Sequence, residues 1–311
     1  MRYLEFGDPE VHQIIRAEKD RIESTLDLIA AESHPPLSIL NAQGSAFNVK
    51  AAEGYPGRRF HAGCGNADDL ERLAVKRGKR LFGAEHINVQ PHSGSSANLA
   101  VYFAVLKPGD RILAMRLSHG GHLSHGDAAS ITSQCFRFAH YGLDPETERL
   151  DYDAIEAQAT AFKPRMIVAG ASAYARLIDY ERMARIARNV SAYLLVDMAH
   201  IAGLVAAGVI PSPVSFSEFV TFTTYKTLMG GRGGVIACRQ EFARRIDRAV
   251  FPGTQGTPAL NQVAAKATCF HLAATPEFKA LQRSIVANAA AMAAEFKQRG
   301  YRLISGGTDN H

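Results

Sequence analysis

Apolar residues at 11, 14, 15, 22, 26 and 29 fall at near-helical spacing behind Asp8, a candidate N-cap, and Pro9 at the first helical position. They predict one amphipathic helix over residues 8–31, ended by His34-Pro35-Pro36. Gly54-Tyr55-Pro56-Gly57 marks a turn-rich loop, and a second helix is predicted over 68–82. Beyond it, short apolar runs at 87–89, 111–115, 166–169, 193–196, 219–223 and 235–238 read as strands, alternating with helical patterns such as 96–106 and 181–190. This alternation predicts an α/β domain with a mostly parallel sheet covered on both faces, and ligands of such sheets lie beyond the carboxyl ends of the strands. A long helix over 276–297 leads to a predicted strand at 301–304, which reads as the opening of a further domain. The expected organisation is a helical arm (1–50), a large domain (51–275) and the incomplete start of a smaller C-terminal domain (276–311).

Composition narrows the class. With 47% hydrophobic and 21% charged residues, the chain resembles an ordinary soluble enzyme rather than a disordered one. The net charge of +5 is dispersed, and its densest run, Lys76-Arg77-Gly78-Lys79-Arg80, shares a helix with Asp68, Asp69 and Glu71; no nucleic-acid partner is expected. Cys64, Cys135, Cys238 and Cys269 form no CxxC pair, so reduced thiols in a cytoplasmic protein are expected. The N-terminus lacks an apolar signal region, and the stretch 201–210 is too short to span a bilayer, so neither membrane nor export is implied.

Three features fall at predicted strand ends. Ser93-Gly94-Ser95-Ser96 opens a helix, where free N–H groups, the helix dipole and hydroxyls suit an anion; an ordinary N-cap would look the same. Asp197 closes a strand and suits a protonated pyridine nitrogen, although an N-cap or a metal ligand would also stand there. Lys226, among threonines and apolar residues with Arg232 nearby, suits an imine-forming amine, although most lysines are solvated surface groups. Together they suit a phosphorylated aromatic aldehyde bound as a Schiff base on Lys226. His119, His122 and His125 recur every third residue and invite a metal reading, but no cysteine or HExxH pattern supports it; an imidazole lying flat on a cofactor ring is the stronger reading.

These residues resemble one family, the pyridoxal-phosphate-dependent serine hydroxymethyltransferases. The similarity is carried by Ala52-Glu53-Gly54-Tyr55-Pro56-Gly57-Arg58-Arg59, Gln90-Pro91-His92-Ser93-Gly94-Ser95, His119-Gly120-Gly121-His122-Leu123, the run Val196-Asp197-Met198-Ala199-His200 continuing to Gly208, Tyr225-Lys226-Thr227-Leu228, and Gly306-Gly307-Thr308-Asp309-Asn310-His311. The resemblance implies a fold-type I, aspartate-aminotransferase-like domain in a homodimer. It implies pyridoxal 5′-phosphate on Lys226, its ring nitrogen on Asp197, its phosphate on Ser93, Gly94 and Ser95, and His122 stacked on its ring. Ser172 and His200 would lie near its phenolic oxygen and the substrate. Glu53 would handle protons on the side of tetrahydrofolate, the co-substrate. Leu117 and Gly121, His122 and Leu123 would line the folate site, while Phe60, His61 and Arg232 would stand toward the amino acid. The implied reaction interconverts serine and glycine.

Departures from the family pattern cluster around the substrate: Ala31 replaces a serine, Ala51 a tyrosine, His61 one of a tyrosine pair and Tyr225 a histidine, and the family's glycine-rich stretch appears as Gly253-Thr254-Gln255-Gly256-Thr257. The family's carboxylate-binding arginine belongs to a C-terminal domain beyond His311. Two other readings follow: a folate-independent aldolase acting on β-hydroxy amino acids, and a non-catalytic cofactor-binding paralogue.

Overall fold

The computed structural model describes residues 6–311. Its helices are α1 (Pro9–Ser24), α2 (Leu37–Gln43), α3 (Gly65–Phe82), α4 (Gly94–Val105), α5 (Ile131–Cys135), α6 (Tyr152–Phe162), α7 (Tyr180–Asn189), α8 (Ala202–Ala206), α9 (Ala243–Arg248), α10 (Leu260–Ala273) and α11 (Pro276–Gln298). A small hairpin, β1 (Gly54–Tyr55) with β2 (Arg58–Arg59), precedes the main strands: β3 (His86–Asn88), β4 (Arg111–Met115), β5 (Arg137–Tyr141), β6 (Met166–Ala169), β7 (Tyr193–Asp197), β8 (Phe219–Thr223) and β9 (Gly234–Cys238).

These seven form one sheet in the order β3-β9-β8-β7-β6-β4-β5. Every pairing from β5 through β4, β6 and β7 to β8 is parallel, and β9 alone runs against its neighbours. The side-chain period of two explains why the central strands are apolar throughout. In β4, Leu113 and Met115 enter one core while Ile112 and Ala114 enter the other. In β7, Leu194 and Val196 are likewise separated from Leu195, so both faces are covered, as the sequence predicts.

Helix starts follow the capping residues. Asp151 accepts the N–H groups of Asp153 and Ala154 at α6, Asp179 that of Arg182 at α7, and Thr275 that of Phe278 at α11, where Pro276 takes the first position. α1 is correctly placed but shorter than expected. It stops at Ser24, where the hydroxyls of Ser24 and Thr25 bond back to Asp20 and Arg21 carbonyls and Asp27 caps the Ile29 N–H. No residue of α1 is buried.

The strand expected at 301–304 is absent. Glu148 instead accepts the Ser305 N–H at 2.8 Å and pairs with Arg302, holding this stretch by side-chain bonds that lead into a short 3₁₀ turn. No helix among the described residues is long and apolar enough to cross a membrane.

Candidate functional site

The start of α4 and the loops after β4, β6, β7 and β8 converge on one cleft, lined among others by Ser93, Gly94, Ser95, His122, Ser172, Asp197, His200 and Lys226. Two glycines let its walls approach. A Cβ on Gly170, whose φ is +133°, would stand 2.1 Å from the Asp197 carbonyl oxygen, and one on Gly94 would stand 2.8 Å from the Thr223 methyl group.

Asp197 ends β7 with its side chain 9% exposed. Burial alone would raise its pKa, but the hydrogen bond and charge of His125, the Asn98 amide and the charge of His122 outweigh it and hold the carboxyl below the usual carboxylate range. Oδ2 accepts Asn98 Nδ2 at 2.8 Å and His125 Nε2 at 3.1 Å, and Oδ1 accepts the Ala199 N–H at 3.0 Å. A carboxylate offers about four lone-pair sites. Three are taken, leaving one for a cationic donor in the cleft.

Asn98 is wholly buried and does more than hold Asp197. Its amide also donates to Ser124 Oγ at 2.9 Å, and its Oδ1 accepts the Thr221 hydroxyl at 2.6 Å. Ser124 Oγ, 2.8 Å from His122 Nδ1, donates its proton there, and the Ser124 N–H meets the same nitrogen at 3.1 Å. With Nδ1 accepting, the neutral His122 carries its proton on Nε2. Burial lowers its pKa, with Asp197 opposing that effect.

At the opposite wall, Ser93 caps α4 through a capping box with Ser96. The expected N-cap role is therefore real, but it leaves the Gly94 and Ser95 N–H groups without a protein acceptor among the described residues. Such groups at the positive end of a 12-residue helix suit an anion.

Lys226 is 7% exposed. Burial lowers its pKa and the nearby Arg232 adds to this, against the attraction of Asp197. Its Nζ lies 5.5 Å from the Tyr225 ring centroid, and Arg232 lies over the same ring at 4.6 Å. His200 stacks on His311, with Nδ1 and Nε2 3.3 Å apart, and burial, reinforced by Lys226 and His311, pushes its pKa down to about 3.

Seven expected site residues stand outside this cleft. Glu53 accepts the Thr257 hydroxyl at 3.2 Å; Phe60 is 76% exposed and His61 is exposed. Leu117 and Leu123 sit partly exposed on short 3₁₀ turns, Gly121 packs against the Met115 carbonyl, and Arg232 is exposed above Tyr225. The three histidines disperse: His119 Nδ1 accepts the Leu143 N–H, His122 turns to Ser124 and His125 to Asp197. No metal-ligating cluster of three forms among the described residues.

Asn98 and His125 are site residues that sequence reasoning misses. His125 carried a signal in its three-residue spacing from His122; Asn98 carried none, being one polar residue in an apolar helix.

The sheet order, the lysine after β8 and the carboxylate at the end of β7 define the fold-type I, aspartate-aminotransferase-like class. A family model described as serine hydroxymethyltransferase matches residues 4–311. Curated proteins of that name from three strains of Dehalococcoides mccartyi are 53%, 52% and 52% identical over all 311 residues, which cover 75% of each relative. The chain belongs to the serine hydroxymethyltransferase family.

Proposed function

We propose that this chain binds pyridoxal 5′-phosphate and interconverts serine and glycine with tetrahydrofolate as the one-carbon co-substrate. The carrying observation is that a buried amine, a carboxylate held ionised and a helix start with free N–H groups share one cleft. When bound, the cofactor supplies an electron-withdrawing ring that stabilises negative charge on a substrate carbon.

Asp197 would use its remaining lone pair to keep a ring nitrogen protonated, with His125 and Asn98 fixing its direction. Lys226 would attach the cofactor: burial enlarges the neutral, nucleophilic fraction of its amine. The Gly94 and Ser95 N–H groups and the neighbouring hydroxyls would take the phosphate, His122 would cover the ring face, and Ser172 and His200 would face its phenolic oxygen and the amino acid. Glu53 would move protons on the folate side, where Leu117, Gly121 and Leu123 contribute, while Phe60, His61 and Arg232 attend the amino acid. These seven residues fit a mouth completed by a second copy in a homodimer. Val49, Phe60, Leu26 and Leu28, each at least 75% exposed, offer apolar surface for that partner. Reduced thiols at all four cysteines fit a cytoplasmic setting.

Incubation with the cofactor should give a visible absorbance band, and borohydride should fix the cofactor on Lys226; a colourless protein after incubation rejects the binding reading. Glycine with tetrahydrofolate should then raise a long-wavelength absorbance that glycine alone does not. Folate-independent cleavage of β-hydroxy amino acids is the second reading, favoured by Tyr225 on the cleft wall. Cleavage without any folate effect would select it.

A further inference from the structure

Lys266, in the middle of α10, is 1% exposed and stands outside the cleft. Its ammonium donates to three backbone carbonyls: Val89 at 2.6 Å, Pro91 at 2.9 Å and Gly234 at 2.9 Å. An ammonium has three donors, and here each has one acceptor. The acceptors belong to the chain just past β3, the turn leading to Ser93, and the first residue of β9.

The rest of this turn is tied down as thoroughly. The Pro91 carbonyl also accepts the Gly234 N–H at 2.9 Å, the Gln90 carbonyl accepts Gln255 Nε2 at 2.8 Å, and Gln255 Oε1 accepts the His92 N–H at 3.1 Å. Glycines make room for the clamp. A Cβ on Gly233 would stand 2.3 Å from Lys266 Cε, and one on Gly234 would stand 2.1 Å from the Ser93 carbonyl oxygen.

We propose that Lys266 is a positioning residue for the anion seat at Ser93, Gly94 and Ser95: it fixes the backbone leading into α4, so that the free N–H groups meet the cofactor phosphate already oriented. The inference rests on the phosphate assignment made above. A buried cation with no carboxylate partner among the described residues is costly unless its hydrogen bonds are complete. Burial pulls its pKa down to about 7, partly opposed by Glu71, so the three-donor ammonium is the form present below that pH. Completing the three bonds needs all three segments in place, so the same contacts that satisfy the charge set the turn. Binding gains when its donors are held in advance.

The test compares pyridoxal 5′-phosphate with pyridoxal, which lacks the phosphate, in the intact chain and in Lys266→Met. The wild type should prefer the phosphorylated form strongly. The variant should bind pyridoxal as before and the phosphate about tenfold or more weakly, shrinking that preference. Equal weakening of both ligands, or no change in either, overturns the positioning role. A wild type without phosphate preference rejects the phosphate assignment itself, and this inference with it. Lys266→Gln, which keeps two donors on a shorter neutral side chain, makes the same comparison if the methionine variant does not fold. Its preference should fall between those of wild type and methionine, and a full wild-type preference overturns the proposal.

Discussion

His125 Nε2 donates to Asp197 Oδ2 across 3.1 Å, with the imidazole 1% exposed and its other ring nitrogen without a partner among the described residues. Removing this donor leaves Asp197 with Asn98 and the Ala199 N–H, in surroundings whose burial works against its charge. For His125→Phe we expect a cost of about 1–3 kcal/mol, the range for a buried hydrogen bond left unmade. It should appear as weaker cofactor affinity by equilibrium titration. His122→Phe should spare that affinity more, because His122 makes no direct hydrogen bond to Asp197 and acts on it only by charge and through Ser124 and Asn98.

The depressed pKa of His200 ties stability to pH. Its folded value of about 3 lies below the ordinary histidine value, so the unfolded chain binds a proton that the folded chain refuses. This stabilisation is complete above about pH 6.5 and is lost as pH falls toward 3, at up to about 1.4 kcal/mol per pH unit. Asp197 acts in the same direction but lower, since its depressed pKa removes stability only below the ordinary carboxylate range of about 4. Denaturant midpoints measured across pH should show the upper slope flattened in His200→Asn and the lower one in Asp197→Asn.

Gly170→Ala joins two strains, a positive φ and a Cβ 2.1 Å from the Asp197 carbonyl oxygen. A loss of at least about 2 kcal/mol is expected from overpacking and backbone strain together. Thermal unfolding should report it, with cofactor binding weakened alongside. Gly83→Ala also has a positive φ, but its Cβ meets open space, so it should lose less and leave cofactor binding unchanged.

The arm that leaves Leu26 93% and Ile14 68% exposed predicts association through this surface. Ile14→Lys with Leu26→Lys should shift the sedimentation profile from dimer toward monomer. An unchanged dimer profile would reject this surface as the interface, and a monomeric wild type would reject the homodimer reading.

Much of this was legible in the chain, for identifiable reasons. β4, β6, β7 and β8 are buried on both faces, so their apolar runs stand out. β5 gives no such signal: Arg137 is exposed, His140 half-buried, and its edge position leaves a mixed pattern. α10 is equally hard to read from its residues, because burial around most of its surface gives it little amphipathic contrast. Lys226, Asp197 and Ser93 were readable because each follows or ends a strand, and such ends meet in space. Asn98 and Lys266 were not, since each contacts residues far away in sequence and looks locally like a stray polar group in an apolar helix.

Because β9 runs against β8, the segment 224–233 that carries Lys226 leaves and re-enters the sheet at a single ladder pair, Thr223 with Gly234. The lysine thus rides on a closed excursion, cross-braced by the Thr224 hydroxyl to the Gly231 carbonyl and by the Gly230 N–H to the Thr224 carbonyl. A change in its length would fall between Thr223 and Gly234, outside the register of the strands. The surroundings of Lys226, Tyr225 among them, are thus set by a loop that is separate from the strands whose pairing positions Asp197.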